Sequence, residues 1–232
     1  MIVTGHRGAL STEPENTLRS FETAVRVGCD EIELDLRVTA DGQLVVLHDP
    51  TVDRTTNGSG AVADLTLAEL QALDAGKGQR VPTWAEAAAS VDVGIQAEVK
   101  ALAAIPPLLE SLQADSPLAG RTIVTSFDAE VLLTVRRAMP AVATGLIIAR
   151  PPAAAQVLAM ARAAQVSTVL CGIDGLTVDG VAWLHEHWLQ VTVWPVPDAA
   201  AFARAAELGV DGITTDFPER FTHRDRQVPA VR

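Results

Sequence analysis

The sequence is poor in cysteine, carries no excess of positive charge and contains no long apolar run, and each lack removes a class of protein. Its two cysteines, Cys29 and Cys171, stand far apart without metal-type spacing. Neither a disulfide framework nor a thiolate zinc site is expected, and both read as packing residues of a reducing compartment. Lys and Arg number 18 against 29 Asp and Glu, giving a formal net charge of -11 and a pI near 4.8. Nucleic acid and anionic membrane surfaces need a basic footprint and are excluded as partners, whereas a small anion is still admissible where positive charge is concentrated locally. No stretch reaches the ~18 uncharged apolar residues of a membrane-spanning helix; the nearest, Ala141–Ala149, is too short. The amino terminus has no basic and apolar secretion pattern and runs directly into a β-branched stretch. A cytoplasmic protein without a membrane anchor is expected.

What is present is an ordinary globular composition, 48% hydrophobic and 20% charged over 232 residues. That length accommodates one large barrel as readily as two small domains. The most informative stretch runs from Glu31 to Asp49. Ile32, Leu34, Leu36 and Val38 alternate with Glu31, Glu33, Asp35 and Arg37, a period of two that signals a strand. Glu33 and Asp35 then share a face with their carboxylates ~7 Å apart along the chain, a pair that repels itself unless a cation intervenes. After an Asp41-Gly42 turn, a second run from Leu44 to Leu47 ends in His48.

Strand and helix patterns alternate along the rest of the chain. Strands are expected at Ile2 to Gly5, Val93 to Val99, Thr122 to Ser126, Gly145 to Ala149, Thr168 to Cys171, Gln190 to Trp194 and Val210 to Thr214. Between them, helical spacing marks Pro14 to Gly28, Trp84 to Ser90, Pro107 to Gln113, Ala129 to Ala138, Ala153 to Ala164, Val181 to His187 and Ala199 to Leu208. Residues 50–80 interrupt the rhythm with glycine-rich turns around one short helical piece, Leu67 to Leu73. Roughly eight strand-helix units predict an α/β fold, a (β/α)8 TIM barrel. It would form a single domain over 1–232, with a small insertion at about 50–80 and a polar tail at about 221–232. An open doubly wound sheet would announce a glycine-rich phosphate loop after its first strand, and His6-Arg7-Gly8 is not one.

A barrel opens the carboxyl ends of its strands onto one face, where active sites lie. His6 and Arg7 follow the first strand, Glu33 and Asp35 lie late in the second, His48 ends the next run, and Glu98 and Lys100 end the strand after it. Buried charges must pair or bind a metal. Glu33, Asp35 and Glu98 make an all-oxygen ligand set, suited to Mg²⁺ or Ca²⁺. Their charge of -3, with +2 from Arg7 and Lys100 and +2 from a divalent cation, sums to +1, which suits a phosphodiester monoanion; without the metal the sum is -1. Imidazole, with an unperturbed pKa of about 6.5, can exchange protons with nucleophile and leaving group, so His6 and His48 read as an acid and base pair.

The ordered motifs H-R-G at 6–8, P-E-N-T at 14–17, E-x-D at 33–35, D-G-x-x-V-x-x-H-D at 41–49, D-R-T-T-N-G-x-G at 53–60, V-P-T at 81–83, E-x-K at 98–100, S-F at 126–127 and D-G-I-x-T-D-x-P at 211–218 span essentially the whole chain. Together they resemble the glycerophosphodiester phosphodiesterase family. The resemblance implies hydrolysis of a glycerophosphodiester to glycerol 3-phosphate and an alcohol. It casts His6 and His48 as the catalytic pair, Glu33, Asp35 and Glu98 as ligands of a divalent cation, and Arg7 and Lys100 as a phosphate clamp. Trp194 would form an apolar wall for the substrate. Residues 50–80 match the family's insertion, expected to border the pocket. One departure concerns substrate preference: where the family commonly reads W-T-V-N, this chain has Trp194-Pro195-Val196-Pro197. The same residues would also serve an intramolecular transfer giving a cyclic phosphate, as in phospholipase D-like toxins built on a similar barrel. A non-catalytic phosphodiester-binding protein is a third reading, which the complete residue set disfavours.

Other polar signals are discounted. His185 and His187 lie on different helix faces and are expected at the surface. Asn57-Gly58-Ser59-Gly60 is explained by turn formation, Lys77 and Arg80 by loop charge, and Ser126 by packing at the barrel mouth. Trp84, Trp183 and Trp188 read as core or helix-face residues, and His223 as solvated.

Overall fold

The β-branched, alternating segments form strands, and eight of these run parallel and close into a ring. The structure, a computed structural model, describes residues 1–221. The ring comprises β1 (Ile2–Gly5), β2 (Glu31–Val38), β4 (Gly94–Val99), β5 (Thr122–Ser126), β6 (Ala143–Ile148), β7 (Thr168–Cys171), β8 (Gln190–Val193) and β9 (Gly212–Thr215), each parallel to its neighbours. Closure is made by β1, which pairs with β9 through Ile2 and Gly212 and with β2 through Thr4 and Glu31. The fold is therefore a TIM barrel, as expected.

Helices α1 (Leu18–Arg26), α3 (Trp84–Ala89), α4 (Ile105–Ala114), α5 (Ser116–Gly120), α6 (Ala129–Ala138), α7 (Ala154–Ala164), α8 (Val178–Glu186) and α9 (Ala199–Leu208) connect the ring strands. Their starts are chemically marked. Thr17 caps α1 by accepting from Ser20 N–H, and Thr83 forms a reciprocal capping box with Glu86 at α3, which satisfies donors that would otherwise be orphaned. The main core lies between ring and helices. Ile32, Leu34 and Leu36 of β2 are fully buried there with Phe21, Trp84 and Leu108. Because successive strand side chains point to opposite faces, burying these three outward turns Glu33 and Asp35 into the barrel.

The run before His48 is no ring strand. It forms β3 (Leu44–Val46), antiparallel to β2 with Leu36 opposite Val46. A turn of this length can only reverse the chain, whereas a parallel return needs a crossover; Gly42 takes a φ of +78° there. Residues beyond β3, including α2 (Leu67–Gln71), gather a separate small core of Val45, Leu47, Val52, Val62, Leu70, Ala75 and Val81. The excursion thus packs as a unit against the barrel rim.

Two further expectations need correction. The short α5 was not anticipated; Pro117 stands in its first turn and Asp115 caps it. Trp188 is 89% exposed, not a core or helix-face residue. It adopts a φ of 62° where the chain leaves α8, which turns its ring outward, and Leu189 enters the core instead. Trp84 is buried and Trp183 packs against the core as expected. The polar tail and His223 lie outside the described residues, and among those described no helix is long and apolar enough to cross a membrane.

Between β1 and α1 the chain must turn sharply to present His6 and Arg7. Gly8 makes this possible at a φ of +86°, and a Cβ there would sit 2.8 Å from that of Ser20. Ser20 Oγ in turn donates to Arg7 O and accepts from Ala9 N–H. Gly8→Ala is expected to destabilise the fold by about 1–3 kcal/mol, measured as a lower urea midpoint at unchanged slope. An unaltered midpoint would contradict this account of the turn.

Candidate active site

Register brings the carboxylates together. Glu33 lies opposite Gln96, and Asp35 opposite Glu98, across the parallel β2–β4 pair. One ligand atom from each of Glu33, Asp35 and Glu98 falls within 4.8 Å of the others, and all three residues are buried. Lys100 Nζ, just past β4, stands 2.6 Å from Glu98 Oε1 and 2.9 Å from Asp35 Oδ1. Arg7 Nε lies 3.4 Å from Asp35 Oδ2, which also accepts from Asn16 Nδ2 at 2.8 Å. Glu33 Oε2 accepts the backbone N–H of Arg7 at 2.9 Å.

This uneven supply of positive charge separates the three acids. Burial would raise the Asp35 carboxyl, but Lys100 and Arg7 outweigh it and hold the group below its ordinary range. For Glu33 the opposing positive charge comes from His6, 3.9 Å away, and is outweighed. Burial, reinforced by the neighbouring Asp35 charge, pushes it up to about 8. Glu98 is raised by burial, with Lys100 opposing and Asp35 reinforcing. The raised Glu33 favours its neutral form, which moves the charge sum of -1 anticipated for the metal-free site toward zero.

Each histidine is held by a carboxylate on Nδ1. His6 Nδ1 is 2.5 Å from Asp216 Oδ1, just past β9, and its Nε2 is 3.9 Å from Glu33 Oε2. Burial acts against the imidazolium, yet the hydrogen bond to Asp216 and the Glu33 charge prevail and raise its pKa. His48 Nδ1 is 2.6 Å from Asp49 Oδ1, and Arg37 anchors the His48 carbonyl through Nε and a terminal nitrogen. A carboxylate only accepts, so both rings donate from Nδ1 and leave Nε2 for chemistry.

A small cavity opens beside the acids, with His6, Glu33 and Glu98 on one side. Phe127, Ile147, Leu170 and Trp194 give the other side an apolar surface; Phe127 is 52% exposed and meets Trp194 edge-on at 6.1 Å. Gln96 Oε1, Thr125 Oγ1, Thr214 Oγ1 and Trp194 Nε1 are buried along this lining without a hydrogen-bond partner among the described residues.

The family model for the glycerophosphoryl diester phosphodiesterase family matches residues 6–220. The chain belongs to this family. It is 33% identical to a glycerophosphodiester phosphodiesterase of Caldanaerobacter subterraneus over 94% of this chain and 95% of that one. It is 32% identical to a Bacillus subtilis glycerophosphodiester phosphodiesterase over 95% of this chain and 85% of that one. Among solved structures, it superposes with a TM-score of 0.87 and 25% identity on an Oleispira antarctica phosphodiesterase in complex with the product sn-glycerol-3-phosphate, covering 94% of each chain. A glycerophosphodiester phosphodiesterase from Agrobacterium tumefaciens matches with a TM-score of 0.81 and 28% identity, over 95% and 98%.

Within this family member, six of the eight anticipated residues, Arg7, Glu33, Asp35, Glu98, Lys100 and His6, meet in one interaction network. Trp194 lies across the cavity from His6 and the acids. His48 stands outside the cavity lining, close enough to Asp35 and Glu98 to affect their charge. Pro197 is exposed and off that lining, its carbonyl bound by Arg220. Sequence reasoning passed over Glu15, Asn16, Asp49, Arg54 and Asp216, although every one falls inside a motif quoted above. Arg37 and Phe127 were also unassigned. As expected, Ser126 serves packing through Val99 O, while Lys77 and Arg80 pair with Glu13 and Glu86. His185 contacts Asp211, and His187 rests on Trp183.

Three converging oxygen donors fit a hard divalent cation, and the raised Glu33 shows the strain of holding them together without one. The sign of the resulting pH dependence follows. A carboxyl raised from 4.5 to about 8 binds its proton more tightly in the folded state, so its contribution to stability is complete below pH 4.5 and disappears as pH rises through about 8. The raised His6 acts in the same direction above its ordinary value. In chelator, the melting temperature should fall between about pH 5 and 9, less steeply in Glu33→Gln, and saturating divalent cation should remove most of the fall. A fall equally steep in the variant would rule out Glu33 as its source.

Proposed function

We propose that this protein hydrolyses glycerophosphodiesters to glycerol 3-phosphate and an alcohol, with a divalent cation, Mg²⁺ or Ca²⁺, and a pair of histidines. The observation that carries this reading is the meeting of three carboxylates, two cationic side chains and a carboxylate-held histidine at one barrel mouth, with a second such histidine alongside. Held by Glu33, Asp35 and Glu98, the cation would supply positive charge toward the phosphodiester oxygens. Arg7 and Lys100 add charge on the same side and orient the phosphate, neutralising the equatorial oxygens as bonds to phosphorus form and break.

His6, kept toward its charged form by Asp216, is the proton donor to the leaving alkoxide, and His48, oriented by Asp49, accepts a proton from the attacking water. The cavity supports the choice of substrate. Its orphaned polar atoms match the hydroxyl groups of a glycerol moiety, since buried polar groups seek partners. Trp194 and Phe127 supply an apolar wall. Residues 1–232 would act as one catalytic domain, with a small molecule as its partner, and the low cysteine content suits a cytoplasmic location.

The test is release of glycerol 3-phosphate from glycerophosphocholine and glycerophosphoethanolamine, with and without chelator. Turnover should require divalent cation, collapse in Glu98→Gln, and drop by about 10²–10⁴-fold in kcat in His48→Ala. Turnover that survives chelator and Glu98→Gln would remove the metal from the mechanism, and a cyclic phosphate product would identify a substrate hydroxyl as the nucleophile.

A further inference from the structure

The insertion contributes a residue that reaches both ends of the site without lining its cavity. Arg54 uses its guanidinium as a double fork. Toward Asp49 it donates from Nε to Oδ2 at 2.6 Å and from Nη2 to Oδ1 at 3.1 Å. Toward Glu15 it donates from Nη1 to Oε2 at 2.7 Å and from Nη2 to Oε1 at 2.8 Å. Glu15 Oε1 also accepts from Arg7 Nη1 at 2.8 Å, and Asp49 Oδ1 accepts from His48 Nδ1. A continuous chain results: His48, Asp49, Arg54, Glu15, Arg7.

We propose that Arg54 and Glu15 are positioning residues for the phosphodiester reaction, Arg54 setting the orientation of His48 through Asp49 and Glu15 setting that of Arg7. This rests on the functional reading above and adds a role for the insertion: it locks the proton-accepting histidine to the phosphate clamp.

The geometry separates this network from an ordinary surface ion pair, which contributes little because two flexible side chains must be held in water. Arg54 is 48% exposed at its side chain, but Glu15 is 11% and Asp49 25%. Both carboxylates are gripped bidentately by a planar group that Lys cannot imitate. Each oxygen of Glu15 and Asp49 has a donor, so neither carboxylate can rotate without breaking a bond. Hydrogen bonds from Arg54, and then from His48, hold Asp49 far below the carboxylate range. Without Arg54, Asp49 would keep His48 as its one side-chain partner and the ring would lose its fixed orientation.

The full chain, assayed with saturating divalent cation, tests this with Arg54→Gln, Arg54→Lys, Arg54→Ala and Glu15→Gln. By analogy with groups that orient ligating or catalytic rings, Arg54→Gln should lower kcat by about 10- to 100-fold with KM nearly unchanged. Arg54→Lys should restore little of this, and added guanidinium ion should recover kcat in Arg54→Ala. Glu15→Gln should chiefly raise KM, because it releases Arg7. An activity-independent readout comes from the imidazole ¹⁵N resonances of His48, assigned by difference with His48→Ala. Wild type should show one Nδ1–H tautomer, and Arg54→Gln an exchanging mixture. If wild type turns over but Arg54→Gln has an unchanged kcat, or if its lost activity follows a lower melting temperature and guanidinium does not restore it, the inference fails while the function stands. Wild type without turnover would defeat the functional reading; an Nδ1–H tautomer unaltered in Arg54→Gln would then defeat the positioning role as well.

Discussion

Three carboxylates held within 4.8 Å of one another inside a barrel are the constraint on which the rest of this structure depends. Left alone they repel, and desolvation increases the penalty. The surrounding residues distribute that penalty unequally. Asp35 receives Lys100, Arg7 and Asn16, which favour its charged form, Glu98 shares Lys100, and Glu33, held by a backbone N–H with His6 farther off, is pushed toward its neutral form. Three oxygen donors gathered in this way could hold a divalent cation, with Arg7 and Lys100 beside them.

The barrel separates two tasks. Its rigid strands set the acids by register, which neighbouring backbones maintain hydrogen bond by hydrogen bond. The two histidine rings sit just beyond strand ends, on segments that need outside support. His6 obtains it from Asp216 across the closure of β1 on β9, and His48 from Asp49 and the excursion after β3. That excursion has its own small apolar core, from Val45 to Val81. The packing explains how an irregular stretch can hold Arg54 steadily enough to matter. Opposite the charges, Trp194, Phe127, Ile147 and Leu170 present an apolar surface, so the same mouth is polar on one side and apolar on the other.

Much of this was legible in one dimension. Alternation around Glu33 identified the strand and the shared face, because the period of two follows from the pleat itself. Ring strands and connecting helices were recovered to within a few residues wherever apolar spacing was regular, and the motif set marked the acids, both histidines and both cations. The failures have physical causes. β3 looked like another strand of the series, since strand direction leaves no trace in composition; only the turn length revealed it. Trp188 looked like core because hydrophobicity says nothing of a left-handed backbone that points a ring outward.

The partners of the functional groups show the same boundary. Asp49 adjoins His48 and could have been guessed, whereas Asp216 stands 210 positions from His6 and meets it only because the barrel closes. Arg54 and Glu15 are 39 positions apart, and nothing in either segment alone predicts their bond. The amino-acid sequence by itself determined the fold class, the faces of the strands and the candidate acids, histidines and cations, because local periodicity and side-chain chemistry are properties of short segments. The tertiary structure alone decided which acid is pushed furthest toward its neutral form, which carboxylate steadies which histidine and where the excursion docks, because burial and charge are summed over every element that packs around a group.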